Sequence, residues 1–344
     1  MRNARRTLLA ILAAGATLAA LVSCSAPAAD RDETVTADAV IYPLSLRYPG
    51  IDVVADVPYG SDDLQRLDVC LPPDSAPDTT ATPMPTPAPA PTGSSPETDG
   101  AGSRAEDRPR GGRPTVVLIH GGSWSHGDKA TAAYRALCQY LASEGFVTVN
   151  VDYRLAPTDP FPAGYDDARR AVDWVFRPTT LATYDIDPDR VGLFGGSAGG
   201  NLAALLAVND HESAAWAAGD RIRAVVDLSG PTNLTARSTE PDGVSASFQR
   251  KQLLYLGCRT YTACPAAEQA SPEYHVTPDT PPFFVGHSTD EFIPLWESQE
   301  FVATLRAQDV PVTFVAVEGT AHSIAQLDRA MSERVVAFLH ARLD

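Results

Sequence analysis

The sequence predicts an α/β fold: a doubly wound, mostly parallel sheet with helices on both faces. Three observations predict it. β-Branched runs alternate with helical stretches from residue 115 to the end. The runs at 115–120 and 146–151 are apolar almost without a break, as strands buried on both faces are. Repeated strand-helix units then close into one parallel sheet through right-handed crossovers.

The chain opens on an export address. Arg2, Arg5 and Arg6 precede an apolar stretch over 8–22, too short for a comfortable membrane helix. The stretch ends Leu21-Val22-Ser23-Cys24. This resembles a bacterial lipobox, whose cysteine becomes the lipidated first residue of the mature protein. Residues 1–23 are therefore expected to be a lipoprotein signal, Cys24 the lipidated residue, and 24–45 a tether. An ordinary secretory peptide with an incidental Cys24 is the other reading. Beyond residue 24 no apolar run reaches 18 residues, so any membrane association is expected only through a lipid anchor on the outer face of the cell.

A catalytic domain is expected over 46–344. It starts with strand-like runs at 51–54 and 67–71. Residues 72–114 then break the pattern, holding 11 of the 29 prolines. This composition cannot bury enough apolar surface to offset ordering entropy, so a disordered insertion in a surface hairpin is expected. Next come a strand at 115–120, a helix at 130–145 and a strand at 146–151. A helix follows at 166–176, with Ala168, Ala171, Val172 and Val175 on one face. A strand at 191–194 leads to a helix at 199–208. Further strands are expected at 223–228, 282–286 and 312–317, and a closing helix at 332–343. There is no internal repeat.

Charge narrows the function. The chain carries 27 Lys+Arg against 43 Asp+Glu, a net charge of −16, and its only lysines are Lys129 and Lys251. It lacks the basic footprint of a nucleic-acid binder. Its overall field opposes strongly anionic substrates at a distance. Export implies an oxidising compartment. Cys258 and Cys264, six residues apart, are expected to form a local disulfide; Cys70 and Cys138 either pair or stay as buried thiols. No Cys or His pair has zinc-ligand spacing, and no metal is expected.

The chemistry sits where strands end. Gly195-Gly196-Ser197-Ala198-Gly199-Gly200 follows a strand and opens a helix. That is GxSxG in its required context: strand, sharp turn, helix. Ser197 is thereby presented as a nucleophile above the sheet. His120-Gly121-Gly122-Ser123-Trp124 follows the first buried strand. A serine nucleophile needs N–H donors aimed at the developing oxyanion. Gly121, Gly122 and Ala198 are the expected donors. Trp124 is either a core aromatic or a wall of the substrate pocket.

A base and an acid must complete the set. His322 lies just after the strand at 312–317, at the carboxyl edge of the sheet. His287, ending the previous strand, is its main rival. His120 is expected to orient its loop. Asp290 on the exit loop of the strand at 282–286 is the expected acid, with Glu291 the rival and Asp227 a more distant one. The order Ser197, Asp290, His322 places the acid before the histidine, as in hydrolases that use this turn.

At this point the chain resembles the α/β-hydrolase superfamily, and within it the bacterial esterase/lipase (carboxylesterase) group with the His-Gly-Gly motif. The likeness runs from about residue 51 to the end, apart from the proline insertion. It is carried by Tyr59-Gly60, Leu67-Asp68-Val69, His120-Gly121-Gly122-Ser123-Trp124 with Gly127-Asp128-Lys129, and Asp152-Tyr153-Arg154-Leu155-Ala156-Pro157. Phe161-Pro162-Ala163 with Asp166, then Asp187-Pro188-Asp189-Arg190-Val191, lead to the serine turn. The entry strands most resemble the feruloyl and acetylxylan esterase subgroup. Ser123 departs from relatives with a third glycine there. The resemblance implies a serine esterase acting on short-to-medium acyl esters of small molecules or glycans, needing no cofactor. Amidase, aryl formamidase or peptidase chemistry on the same scaffold is the alternative. An inactive surface lipoprotein is the third reading.

Overall fold

A computed structural model describes residues 32–36, 44–73, 111–209 and 222–344. The signal stretch 1–23, Cys24, most of the tether and residues 74–110 of the insertion lie outside the described residues.

Among the described residues, nine strands form one sheet. They are β1 (Asp32–Thr36), β2 (Asp52–Pro58), β3 (Arg66–Leu71), β4 (Arg113–Ile119), β5 (Val147–Val151), β6 (Ile186–Gly196), β7 (Ile222–Leu228), β8 (Phe283–Ser288) and β9 (Val312–Glu318). The helices are α1 (Ala132–Ser143), α2 (Ala163–Val175), α3 (Pro178–Tyr184), α4 (Ala198–Val208), α5 (Ala246–Leu256), α6 (Ala266–Gln269), α7 (Leu295–Ala307) and α8 (Arg329–Leu343). The sheet order is β1-β9-β8-β7-β6-β4-β5-β3-β2. Only the β2–β3 and β3–β5 pairs are antiparallel.

Side-chain alternation builds the two layers. Along β9, Val312, Phe314 and Ala316 join one core cluster, while Val315 and Val317 join the other. The first cluster takes up α2, α4 and α7; the second takes up α1 and α8. Helix α4 is buried along its whole length, which explains why Ala-Gly-Gly-Asn-Leu-Ala-Ala-Leu-Leu-Ala-Val has no polar stripe. Its one polar side chain, Asn201, is satisfied: its amide donates to the Pro231 and Ala270 carbonyls at 2.9 and 3.0 Å.

Two expectations change. The insertion does not lie in a hairpin: β5 separates β3 from β4, and β3 pairs with β2 and β5. Residues 32–36, expected within the tether, pair in parallel with the open edge of β9. Both cysteine pairs are joined, Cys258 to Cys264 and Cys70 on β3 to Cys138 on α1.

Neighbouring β4 and β6 send their chains to opposite sides, β4 to β5 and β6 to β7. That is the switch point of the sheet, where a crevice opens beyond the carboxyl ends of the strands.

Candidate active site

The turn after β6 is held by backbone crowding. Ser197 sits at φ 57°, ψ −126°, a conformation unfavourable for a side-chain-bearing residue. Its N–H donates to the Leu228 carbonyl at 2.9 Å, pinning the turn to the end of β7. A Cβ on Gly195 would lie 2.0 Å from the Gly199 carbonyl oxygen, and one on Gly199 2.0 Å from that of Ile119. Only glycine allows α4 to start this close to β4. The helix then directs the free N–H groups of its first turn, Ala198 included, toward the serine.

The loop after β4 lies against this turn. Gly122 has φ 127°, and a Cβ there would overlap the His126 carbonyl. Ser123 and Trp124 also take left-handed backbone, at φ 51° and 55°. Glycine would take this backbone at Ser123 with less strain. His120 is buried, its Nδ1 2.7 Å from the Gly121 carbonyl and its ring stacked on Tyr153 at 4.3 Å. Burial pushes its pKa down to about 4, so it stays neutral and orients the loop.

One expected oxyanion donor is already used. The Gly121 N–H donates to the Tyr134 hydroxyl at 2.7 Å, and that hydroxyl also bonds Ser323. Gly121 therefore braces the loop, and Gly122 and Ala198 remain as the expected donors. Trp124 is corrected as well. It is 1% exposed, stacks on Tyr255 at 4.3 Å, and donates from Nε1 to Asn201 Oδ1 at 3.2 Å. It is a core aromatic and does not line the cavity.

His322 heads the short helix after β9 and faces the cavity beside Ser197. Its Nδ1 is hydrogen-bonded to Glu291 Oε2. Asp290 is not its partner. Asp290 is exposed, donates its N–H to the Gly319 carbonyl at 2.9 Å, and accepts from Thr289 Oγ1 at 3.0 Å. It is a turn residue. The next residue points back under the sheet edge, and the longer glutamate side chain reaches the imidazole.

The Glu291 carboxylate is fully buried and well supplied with donors. Its Oε1 accepts from Ser229 Oγ, from the Ser288 N–H at 3.3 Å, and from His287 Nε2 at 3.1 Å. His287 Nε2 also faces the Ile293 carbonyl at 2.9 Å. Two acceptors before one nitrogen require that nitrogen to carry the proton. Nδ1 of His287 then accepts from Ser298 Oγ at 2.7 Å. Burial pushes its pKa down, and the neutral ring serves as a donor behind the acid. His287 thus backs Glu291 and does not line the cavity. Asp227, the remote rival, is buried, and its Oδ1 accepts the Gly230 N–H at 2.8 Å. Burial first, and the nearby Glu291 charge second, push its pKa up to about 7.

The cavity holds about 420 Å³. Gly121, Gly122, Ser123, Ser197 and His322 line it, with Tyr134, Lys251, Phe292 and Ile324 as further walls. Phe292 packs on the His322 ring at 4.3 Å. Behind the site, Lys129 Nζ sits 2.6 Å from Asp56 and 2.9 Å from Asp68, and its N–H donates to Asp152. Arg154 clasps buried Asp167 through two nitrogens at 2.7 and 2.8 Å. The lysine ties the entry strands to the loops after β4 and β5, and the arginine ties the loop after β5 to α2. No group of three or more His, Cys, Asp or Glu suited to a metal occurs among the described residues. Tyr134, Ser229, Phe292 and Lys251 were not found by sequence reasoning. None belongs to a motif; only distant packing brings them here.

The BD-FAE family signature matches residues 105–305, more than half of the chain. The chain belongs to the BD-FAE family. Among curated relatives, esterase LipC of Mycobacterium tuberculosis is 32% identical over 235 residues, 66% of this chain and 57% of LipC. The chain thus spans little over half the length of the curated relatives it matches. Arylacetamide deacetylase of Oryctolagus cuniculus is 44% identical over 96 residues, 28% of this chain and 24% of that enzyme. A truncated carbohydrate esterase from gut microbiota superposes at a TM-score of 0.67 with 19% identity, covering 85% of this chain and 96% of that one. The fold of this BD-FAE member is that of the α/β-hydrolases.

Proposed function

We propose that the protein is a serine carboxylic-ester hydrolase of short-to-medium acyl esters, acting through Ser197, His322 and Glu291. The observation that carries the reading is one arrangement. A serine on a strained strand-helix turn shares a cavity with a histidine whose far nitrogen is held by a buried carboxylate.

The mechanism follows from that arrangement. Glu291 accepts from His322 Nδ1–H and fixes the tautomer with Nε2 free. Nε2 takes the proton of Ser197 Oγ as it attacks the ester carbonyl. The tetrahedral oxyanion is met by the N–H groups of Gly122 and Ala198, each worth roughly 2.7–4 kcal/mol in comparable sites. Ser123, whose N–H follows next in the same loop, is placed to substitute for the occupied Gly121. The imidazolium then protonates the departing alcohol. Water attacks the acyl-enzyme by the same route, and Ser197 is restored. The donors around Glu291 hold that carboxylate in place throughout.

The cavity volume suits a small acyl or aryl group. The likeness to a carbohydrate esterase supports glycan esters as substrates, and the export address supports a lipid-anchored enzyme outside the cell. Labelling of Cys24 by an alkyne palmitate in a bacterial host tests the anchor; a soluble, unlabelled product would leave ordinary secretion. The reaction is tested with p-nitrophenyl esters from acetate to palmitate. Turnover is expected to peak at two to four carbons and to vanish in Ser197→Ala. Folded protein inert on every ester would overturn the reading. The likeness to arylacetamide deacetylase favours one second reading, amide hydrolysis by the same residues. Acetanilide cleavage faster than phenyl acetate cleavage would establish it.

A further inference from the structure

The chain has a net charge of −16, yet the cavity is lined by no carboxylate among the described residues. Its ionisable walls are instead His126, His322, Tyr134 and Lys251. Glu291 lies behind His322, fully buried and bonded on both oxygens. The two lysines of the sequence are used differently. Lys129 is consumed by Asp56 and Asp68. Lys251 is exposed on α5 and has no carboxylate partner among the described residues. An ammonium on an acidic protein ordinarily has many carboxylates to pair with. This one shares a cavity with the apolar side chains of Phe292 and Ile324.

We propose that the cavity selects esters carrying a carboxylate close to the scissile bond, and that Lys251 is the residue that recognises it. The proposal rests on the ester-hydrolase reading above. The overall negative field acts on anions at a distance and is screened beyond about 8–10 Å at ordinary salt. Within the cavity, the local cation decides. Lysine is a compact charge on a flexible stem, so it does not demand one fixed carboxylate orientation. The anionic group can therefore sit on the acyl or the alcohol side of the bond, within the reach set by a cavity of about 420 Å³. Lys251 is a specificity residue and takes no part in the proton transfers.

The test compares matched pairs on the full chain. One pair is the free acid and the methyl ester of 4-nitrophenyl adipate, with charge on the acyl side. The other is 3-acetoxybenzoate and its methyl ester, with charge on the alcohol side. Within each pair the ratio of kcat/KM, anionic over neutral, cancels intrinsic reactivity when variants are compared. In at least one pair the ratio is expected to fall about tenfold in Lys251→Met and to recover in Lys251→Arg. In the wild type it should also fall when about 0.5 M NaCl is added, because an exposed charge pair is screened. Equal ratios in wild type and Lys251→Met in both pairs would overturn the proposal. Ser197-dependent turnover of the neutral esters then keeps the underlying reading intact. Silence on all four esters would remove both.

Discussion

The turn after β6 and the loop after β8 each bring a side chain to the same cavity, and they are held by different forces. The β6 turn is local. Its glycines let α4 approach β4 until any Cβ would strike backbone, and the serine conformation follows from that crowding. The β8 loop has no such lock. Glu291 is held by Ser229 from the end of β7, His287 on its own strand, and His322 beyond β9. A turn fixed by backbone sterics is legible over six residues. A carboxylate fixed by donors from three separate strands is not, and two adjacent acids then look alike.

Breaking each region should separate these forces, starting with the charge. Glu291→Gln should lower kcat/KM about 10³- to 10⁴-fold, because the His322 tautomer and its cation lose their partner. Asp290→Asn should stay within about a factor of two, as surface changes do. Steady-state kinetics on p-nitrophenyl butyrate decides; a reversed pair of results would sink the assignment of Glu291.

Gly199→Ala attacks the local side of the comparison. A Cβ 2.0 Å from the Ile119 carbonyl forces backbone apart, at a cost of about 3 kcal/mol. Urea unfolding should show it, and activity should fall with it. Tyr134→Phe is milder. It leaves the Gly121 N–H without its acceptor, a loss of about 1–3 kcal/mol for a buried donor. The expected result is roughly tenfold lower kcat/KM at unchanged circular dichroism.

Asp227 sharpens the contrast through pH. Its folded pKa is raised to about 7, while an unfolded aspartate titrates near about 3.9. Between those values the folded state binds the proton and the unfolded state does not. The stability it contributes is complete below about pH 4 and is lost as pH rises toward 7. Thermal unfolding over that window should show a smaller decline for Asp227→Asn than for the wild type. An unchanged slope would show that Asp227 is ionised in the fold. The smallest expected effect is at Ser123. Glycine there relieves a left-handed conformation at φ 51°. A gain of about 0.5 kcal/mol is expected, after the extra unfolded-state entropy of glycine.

Much of the molecule was legible in the order of residues. β-Branched runs and helical periodicity marked the central strands and the helices around them, because parallel strands must be apolar on both faces. Helices α5 and α7 and the short α3 and α6 were missed, since none carries a strong apolar stripe of its own. That Ser197, His322 and the glycine loop meet at one cavity was legible because local chain chemistry demands it: tight turns need glycine, and strand ends place side chains at the crevice. The tertiary structure decided the rest. It gave Gly121's N–H to Tyr134, turned Trp124 into the core, and chose Glu291 over Asp290. It also set Lys251 of α5 on the wall of a cavity whose other walls come from loops far away in the chain on both sides of it. Each of these depends on partners distant in the chain. Hydrogen bonds and buried charge are satisfied by whatever atoms the fold brings near, and no local pattern records which atoms those will be.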